Sequence, residues 1–153
     1  MGEHLIHSNG QSDVAAMPWL ERLTAAHSEL VQAIGELEKL TLGPVPSKDL
    51  LVDTRWNVSK ASLRRRQLWG RILAHLSRSG GPDLSLELRQ LQETDSRLLR
   101  ASSSHIGEWT ADCAIKDWDG YCRASKIMRG RMLDAIATEK RLLYPMLERS
   151  AAR

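Results

Sequence analysis

The sequence predicts an all-α fold, an antiparallel up-down-up-down bundle of four helices. Apolar residues recur at three- and four-residue spacing in four successive segments, and none of the segments shows the two-residue alternation of a strand. Short breaks rich in Pro and Gly, at residues 43–46 and 80–82, separate three of these segments. Because short breaks between long helices make neighbours antiparallel, the pattern indicates a bundle. The 153 residues, of which 42% are hydrophobic and 27% charged, have the size and composition of one globular domain.

The first helix is expected to span residues 18–42, after a flexible leader of residues 1–17. Pro18 suits a first helical turn, because its missing N–H needs no partner there. The run Gly43-Pro44-Val45-Pro46 ends the helix, since Pro disfavours helical conformation in the residue before it. The residues expected to face inward are Leu20, Leu23, His27, Leu30, Ile34 and Leu37.

The second helix is expected to span residues 48–79. Two inward-facing stripes fit its sequence nearly equally well, and both contain Arg65. One stripe consists of Val58, Ser62, Arg65, Trp69, Ile72 and Leu76. The other passes through Ala61, Arg65, Leu68 and Ile72. The register of this helix therefore stays open.

The last two helices are expected at 83–108 and 111–149, before a tail of 150–153. The Pro-free run from 83 to 144 is too long for one ordinary helix. The sequence GEWTAD at 107–112 is the best place for a turn, with Thr110 or Asp112 as the N-cap. The third inward stripe is Leu84, Leu88, Leu91, Asp95, Leu98, Ser102 and His105. The fourth is Trp118, Tyr121, Ser125, Met128, Met132, Ala135, Glu139, Leu142 and Met146.

Each stripe carries one ionisable residue near its middle. These residues are His27, Arg65, Asp95 and Glu139. An unpaired buried charge is strongly destabilising, whereas a guanidinium has enough donors to serve two carboxylates. We therefore expect a buried cluster in which Arg65 lies between Asp95 and Glu139, with His27 beside it. The alternative is that one or more of these residues lies at a helix boundary and reaches solvent.

Two short segments, EKRLLYPML at residues 139–147 and AAHSEL around His27, carry a family resemblance. The first is similar to the end of the fourth helix of the hemerythrin-like, or HHE cation-binding, domain, and the second resembles the part of its first helix that holds a His. The resemblance covers residues 18–148. It implies a hemerythrin-like four-helix bundle holding two iron ions, with a His from the first and third helices and His-x-x-x-Glu from the second and fourth. The matching positions here are His27, Arg65 with Trp69, Asp95, and Ala135 with Glu139.

This chain departs from that ligand pattern. No His is followed four residues later by Asp or Glu, and Glu-x-x-His is absent as well. Only His27, Asp95 and Glu139 could ligate a metal, as in a single-metal site of one His and two carboxylates, and Arg65 would repel the cation. We expect no cofactor, with iron at this remnant site as the alternative. The predicted function is a non-enzymatic binding or regulatory module; the alternative is a metal- or small-ligand-binding sensor built on the remnant site.

Composition also limits the partners. No stretch of 18 apolar residues could span a bilayer, and the N-terminus lacks a signal-peptide pattern, so we expect a cytoplasmic protein that does not contact membranes. Cys113 and Cys122 are expected to be free thiols. The segment 54–82 has seven basic residues and no acidic one, yet the net charge of +3 and the lack of a binding motif do not favour nucleic acid. The alternative is a solvated helix face opposite Glu36, Glu87 and Glu93.

The tryptophans bear on association. Trp56, Trp109 and Trp118 are expected to pack near helix ends, whereas Trp19 is expected to be exposed. Aromatic residues are enriched at interfaces, so a homodimer stays open. The partner is expected to be an unidentified protein or a small molecule.

Overall fold

The chain folds into α-helices throughout the part that the structure describes. The computed structural model describes residues 18–79 and 82–151, and its helices are α1 (Trp19–Thr41), α2 (Lys48–Ser79), α3 (Pro82–Glu108), α4 (Ala111–Lys116) and α5 (Trp118–Ala151). The predicted all-α class is confirmed. The predicted leader of residues 1–17 and the last two residues of the predicted tail lie outside the described residues.

Contacts join the beginning of one long helix to the end of another. Trp118, which opens α5, donates from its indole Nε1 to the carbonyl of Gly43, just beyond α1, at 3.3 Å. Arg55, in the first turns of α2, donates from Nη1 to the carbonyl of Trp109, just beyond α3, at 2.6 Å. In keeping with these contacts, α1 packs on α2 and α5, and α3 likewise packs on α2 and α5.

The inward face of α2 is wider than either predicted stripe. It buries members of both, namely Val58, Ala61, Arg65, Leu68, Trp69, Ile72 and Leu76. The reason is that α2 packs against α1, α3, α4 and α5, so that several neighbours cover it. The stripe of α1 is also inward, with Leu20 half-buried and the other five members buried.

The predicted fourth helix is two helices, which corrects the span 111–149. Thr110 caps α4 as expected, its hydroxyl accepting from the amide of Cys113 at 3.3 Å. Asp117 then leaves helical geometry (φ −130°, ψ 70°), and its carboxylate accepts from the amide of Gly120 at 3.1 Å. An N-cap residue must take a non-helical conformation to make this bond, so Asp117 ends α4 and begins α5. From there α5 runs through Pro145 to Ala151, into the predicted tail.

The tryptophans differ in part from expectation. Trp118 is buried and Trp109 half-buried, but Trp56 is 60% exposed and does not pack in the interior. The exposure of Trp56 follows from the helical period, because a residue two positions from the buried Val58 lies on the opposite face of α2. Trp19 is half-buried, with the guanidinium of Arg22 4.6 Å from its ring centroid.

Within residues 18–79 and 82–151, no helix is both long enough and apolar enough to cross a bilayer.

Replacing Asp117 with Ala should lower the free energy of unfolding by about 1 kcal/mol, because the amide of Gly120 loses its acceptor. Asp119→Ala is the matched control, since Asp119 is an exposed acidic residue in the same turn. Urea unfolding of both variants provides the measurement. Equal losses in the two variants would show that charge near the start of α5, and not the cap, matters.

Candidate functional site

Arg65 lies at the centre of a buried ion cluster. Its side chain is 2% exposed. Nη2 donates to Asp95 Oδ1 and to Glu139 Oε1, both at 2.7 Å, and Nε donates to Glu139 Oε2 at 3.3 Å. The guanidinium therefore donates to Glu139 from two nitrogens and to Asp95 from one. Arg65 thus lies between the two carboxylates, as the sequence predicts. Two-nitrogen contacts of this kind are strong and directional.

His27 completes the cluster from α1. Its Nε2 lies 2.6 Å from Glu139 Oε2, and its Nδ1 lies 2.7 Å from the hydroxyl of Tyr144. An ionised carboxylate only accepts, so Nε2 carries the hydrogen and donates it to Glu139. The structure thus brings together all four predicted residues and adds Tyr144. Sequence reasoning missed Tyr144 because it lies beside the inward stripe; its position in the Tyr-Pro pair after Glu139 was the available signal.

The charges of the cluster support one another. Burial by itself would lower the pKa of Arg65, but the charge of Glu139 and the hydrogen bonds with Asp95 and Glu139 outweigh it and raise that pKa. The guanidinium therefore stays charged. One cation then faces two carboxylates, and the Nε2–H of His27 adds a further donor to the second carboxylate.

Asp95 is the member nearest to solvent. Its side chain is 20% exposed, against 4% for Glu139. Of the four cluster residues, Asp95 is therefore the one that partly reaches solvent at a helix boundary. It still keeps its hydrogen bond to Arg65.

The ion cluster forms a polar layer between two apolar cores. One core contains Leu30, Ala61 and Ile136, and the other contains Leu23, Leu68 and Leu143. His27, Arg65 and Glu139 each lie between a member of one core and a member of the other on the same helix. The layer therefore crosses the interior at one depth.

The cluster residues do not fit a pair of iron ions. Both oxygens of Glu139 already contact Arg65, and Nε2 of His27 points at Glu139. Trp69 and Ala135, at the two remaining matched positions, offer no metal ligand. Within the described ranges 18–79 and 82–151, no three His, Cys, Asp or Glu side chains are placed to hold a metal ion.

Among the described residues, the ion pairs of the basic segment do not involve Glu36, Glu87 or Glu93. Arg64 pairs with Glu29 of α1, which was not among them. Glu36 pairs with Lys39, and Glu93 with Arg97, each within its own helix. Glu36 and Glu93 therefore find their partners one helical turn away on their own helices. A solvated face of α2 opposite acidic residues stays a prediction.

His105 lies outside the ion cluster. Its ring stacks on that of Tyr121 with centroids 6.0 Å apart, and it is half-buried. Burial, followed by the charge of Arg55, lowers its pKa, which Glu108 opposes. Cys113 is exposed and Cys122 half-buried, and both are free thiols.

Comparison of the chain with models of protein families, with curated proteins and with solved structures finds no match. Its geometry alone therefore supports the account of the site.

Arg65→Met should lower the free energy of unfolding by about 3–5 kcal/mol, because it leaves Glu139 buried without its counter-charge. Arg64→Met is the matched control: Arg64 is exposed, its partner Glu29 is on the surface, and the loss should stay below about 1 kcal/mol. Chemical denaturation measures both. A loss below that limit in Arg65→Met would contradict a buried ionic role for Arg65.

A second replacement tests the reason for that loss. Arg65→Met combined with Glu139→Met should recover part of the lost stability, because the more deeply buried of the two carboxylates is removed together with its counter-charge. The same denaturation experiment is used. If the double variant is less stable than Arg65→Met alone, the loss comes from packing around the arginine stem and not from the unpaired charge of Glu139.

The titration of His105 gives a pH dependence of known sign. Its folded pKa is lowered, so protonation favours the unfolded chain. Its contribution is fully present above the unfolded pKa of about 6.5 and is lost as the pH falls through the folded value. The free energy of unfolding should therefore fall more steeply between pH 7 and 5, roughly, in the wild type than in His105→Gln. Parallel curves for the two chains would contradict this assignment.

Proposed function

We propose that the chain is a hemerythrin-like, antiparallel up-down-up-down four-helix bundle of α1, α2, α3 and α5 in which an arginine takes the place of iron. One observation carries the proposal: Arg65, at the position matched to the second-helix ligand, donates to both Asp95 and Glu139 at 2.7 Å. Its guanidinium supplies the positive charge that the two carboxylates need. The end-to-end contacts of the long helices support the bundle topology.

The neighbouring matched positions support the same replacement. Trp69 is buried and its Nε1 has no hydrogen-bond partner among the described residues. A buried donor without a partner is unfavourable, so the indole N–H gives this position no hydrogen-bonding reason to be a tryptophan. Ala135, the other position, is half-buried one helical turn before Glu139.

The proposed role is that of a non-enzymatic binding or regulatory module. Arg65, Glu139 and His27 are bonded to one another and to Tyr144, so none of them presents a free acid or base to a substrate. A cytoplasmic location agrees with the two free thiols. The alternative, a sensor that binds a metal at His27, Asp95 and Glu139, requires Arg65 to leave its two carboxylates.

The proposal is tested by restoring the matched ligands. The variant Arg65→His, Trp69→Glu, Ala135→His should gain iron affinity, because each His then lies four residues before a Glu on one helix face. Metal analysis and the near-ultraviolet and visible absorption of the purified, iron-loaded protein provide the measurement. The wild type should take up no stoichiometric iron under the same conditions.

The matched control is Arg65→His, Trp69→Gln, Ala135→His, which has nearly the same volume without the new carboxylate. It should bind iron more weakly than the Glu variant. A folded Glu variant with no gain over this control would contradict the matched positions. An iron pair in the wild-type chain, purified without chelator, would favour the sensor instead.

A further inference from the structure

A cavity of about 150 Å³ lies on one side of the ion cluster, between α2, α3 and α5. Two of its lining residues, Ser62 and Leu99, lie one helical turn from Arg65 and Asp95 respectively. Three guanidinium groups line it, those of Arg55, Arg66 and Arg129, and none of its lining residues is acidic.

The three arginines lack a close anionic partner. Among residues 18–79 and 82–151, the carboxylate of Glu38 alone comes within 4.0 Å of any of them, at 3.9 Å from Arg129 Nη1. Their hydrogen bonds go to neutral groups: Arg55 to the carbonyl of Trp109, and Arg66 to the hydroxyl of Ser62. Arg129 itself is buried. Three cations that line one cavity without an acidic residue among its walls favour an anion there.

Arg129 is positioned by hydroxyl groups at the cavity wall. Its Nε donates to Ser125 Oγ and its Nη2 donates to Thr41 Oγ1, both at 3.2 Å. These contacts hold the guanidinium with neutral groups, and the exposed carboxylate of Glu38, 3.9 Å from Nη1, balances its charge only in part.

The hydroxyl of Tyr121 is a second, independent sign of a ligand. Tyr121 is 0% exposed and lines the cavity, and its hydroxyl makes no hydrogen bond of normal geometry with the described residues. Burial raises its pKa, and the nearby Ser125 hydroxyl and Arg55 only partly oppose this. A buried donor of this kind needs an acceptor. A water molecule would satisfy the hydroxyl, but it would leave the three cations unbalanced.

The rest of the wall combines serines and His105 with an apolar patch. The apolar side chains are those of Val58, Leu99, Ile106, Met128 and Met132. An apolar space of about this volume accepts a benzene ring. The occupant therefore combines an anionic group for the arginines with a compact apolar body.

We infer that this cavity binds a small carboxylate whose apolar body is about the size of one six-membered ring. The carboxylate accepts from the arginines and from Tyr121, and the ring packs on the leucine and methionine side chains. The inference rests on the binding role proposed above and names its ligand class. The two tests remain separable, because iron uptake concerns Arg65 and Trp69 whereas carboxylate binding concerns Arg66 and Tyr121.

Benzoate is the probe, compared with benzamide, which has the same shape without the charge, and with acetate, which has the charge without the ring. Isothermal titration of the full chain should give saturable benzoate binding with a Kd on the order of 1 mM or tighter. Benzamide and acetate should each bind about tenfold or more weakly. Benzamide equal to benzoate would overturn the role of the arginines, and acetate equal to benzoate would overturn the role of the apolar wall. The absence of saturable benzoate binding would overturn the inference itself.

Two variants place the binding in the cavity. Arg66→Met should weaken benzoate binding about tenfold. Arg64→Met removes the same charge from the outward face two residues away, and it should leave the Kd within about twofold of the wild type. Equal effects would show that the overall charge of α2 attracts benzoate, and would overturn the site.

Tyr121→Phe gives a readout that a merely structural role would not produce. The variant should be at least as stable as the wild type in the absence of ligand, because it removes a buried hydroxyl without a partner. It should nevertheless bind benzoate several-fold more weakly. A stable variant with unchanged affinity would show that the hydroxyl does not face the ligand and would overturn that contact.

Discussion

The pairing of one buried guanidinium with two carboxylates is the constraint on which the rest of this structure depends. Arg65 comes from α2, Asp95 from α3 and Glu139 from α5, while His27 reaches Glu139 from α1. Each of the four long helices therefore supplies one member. Apolar residues of similar volume often stabilise an interior at least as well as an ionic cluster does. What the cluster adds is an alignment: a shift of any helix by one turn would leave a charge in the apolar core.

The polar layer also separates two halves of different packing. On one side, α2, α3 and α5 direct Leu and Trp side chains inward, among them Leu91, Trp69 and Leu143. On the other side, the same helices place Ser62, Ser102 and Ser125 along the cavity. Small hydroxyl side chains in place of large apolar ones leave the space that the arginines surround. A buried ionic centre and a cavity lined by arginines therefore lie one helical turn apart between the same helices.

The sequence was informative where the structure depends on local periodicity. The spacing of apolar residues predicts the helices to within a residue or two at most ends, because a helix buries a fixed face of its own sequence. It also places His27, Arg65, Asp95 and Glu139 on inward faces, and chemistry then pairs them. The sequence did not predict the break at Asp117, because a single capping hydrogen bond, worth about 1 kcal/mol, decides between one helix and two.

Features that depend on how different helices align with one another could not be predicted from the sequence. Tyr144 reaches His27 from beside the inward stripe, and this requires knowing how α1 and α5 face each other. The cavity arises because serines from different helices meet at one level, and no single helix reveals that. Trp56 is the opposite case, since its large apolar ring favours burial while its helical position faces solvent.

The bonds of the ion cluster also bear on the order of folding. They join residues 112 positions apart (His27 and Glu139) and 74 positions apart (Arg65 and Glu139). Individual helices need only local contacts. These bonds form only after residues far apart in the sequence have met, and closing such long loops costs conformational entropy. We therefore expect the cluster to form late and to act mainly on the unfolding rate. The guanidinium therefore contributes little to the rate at which the helices assemble, and it slows the rate at which they separate.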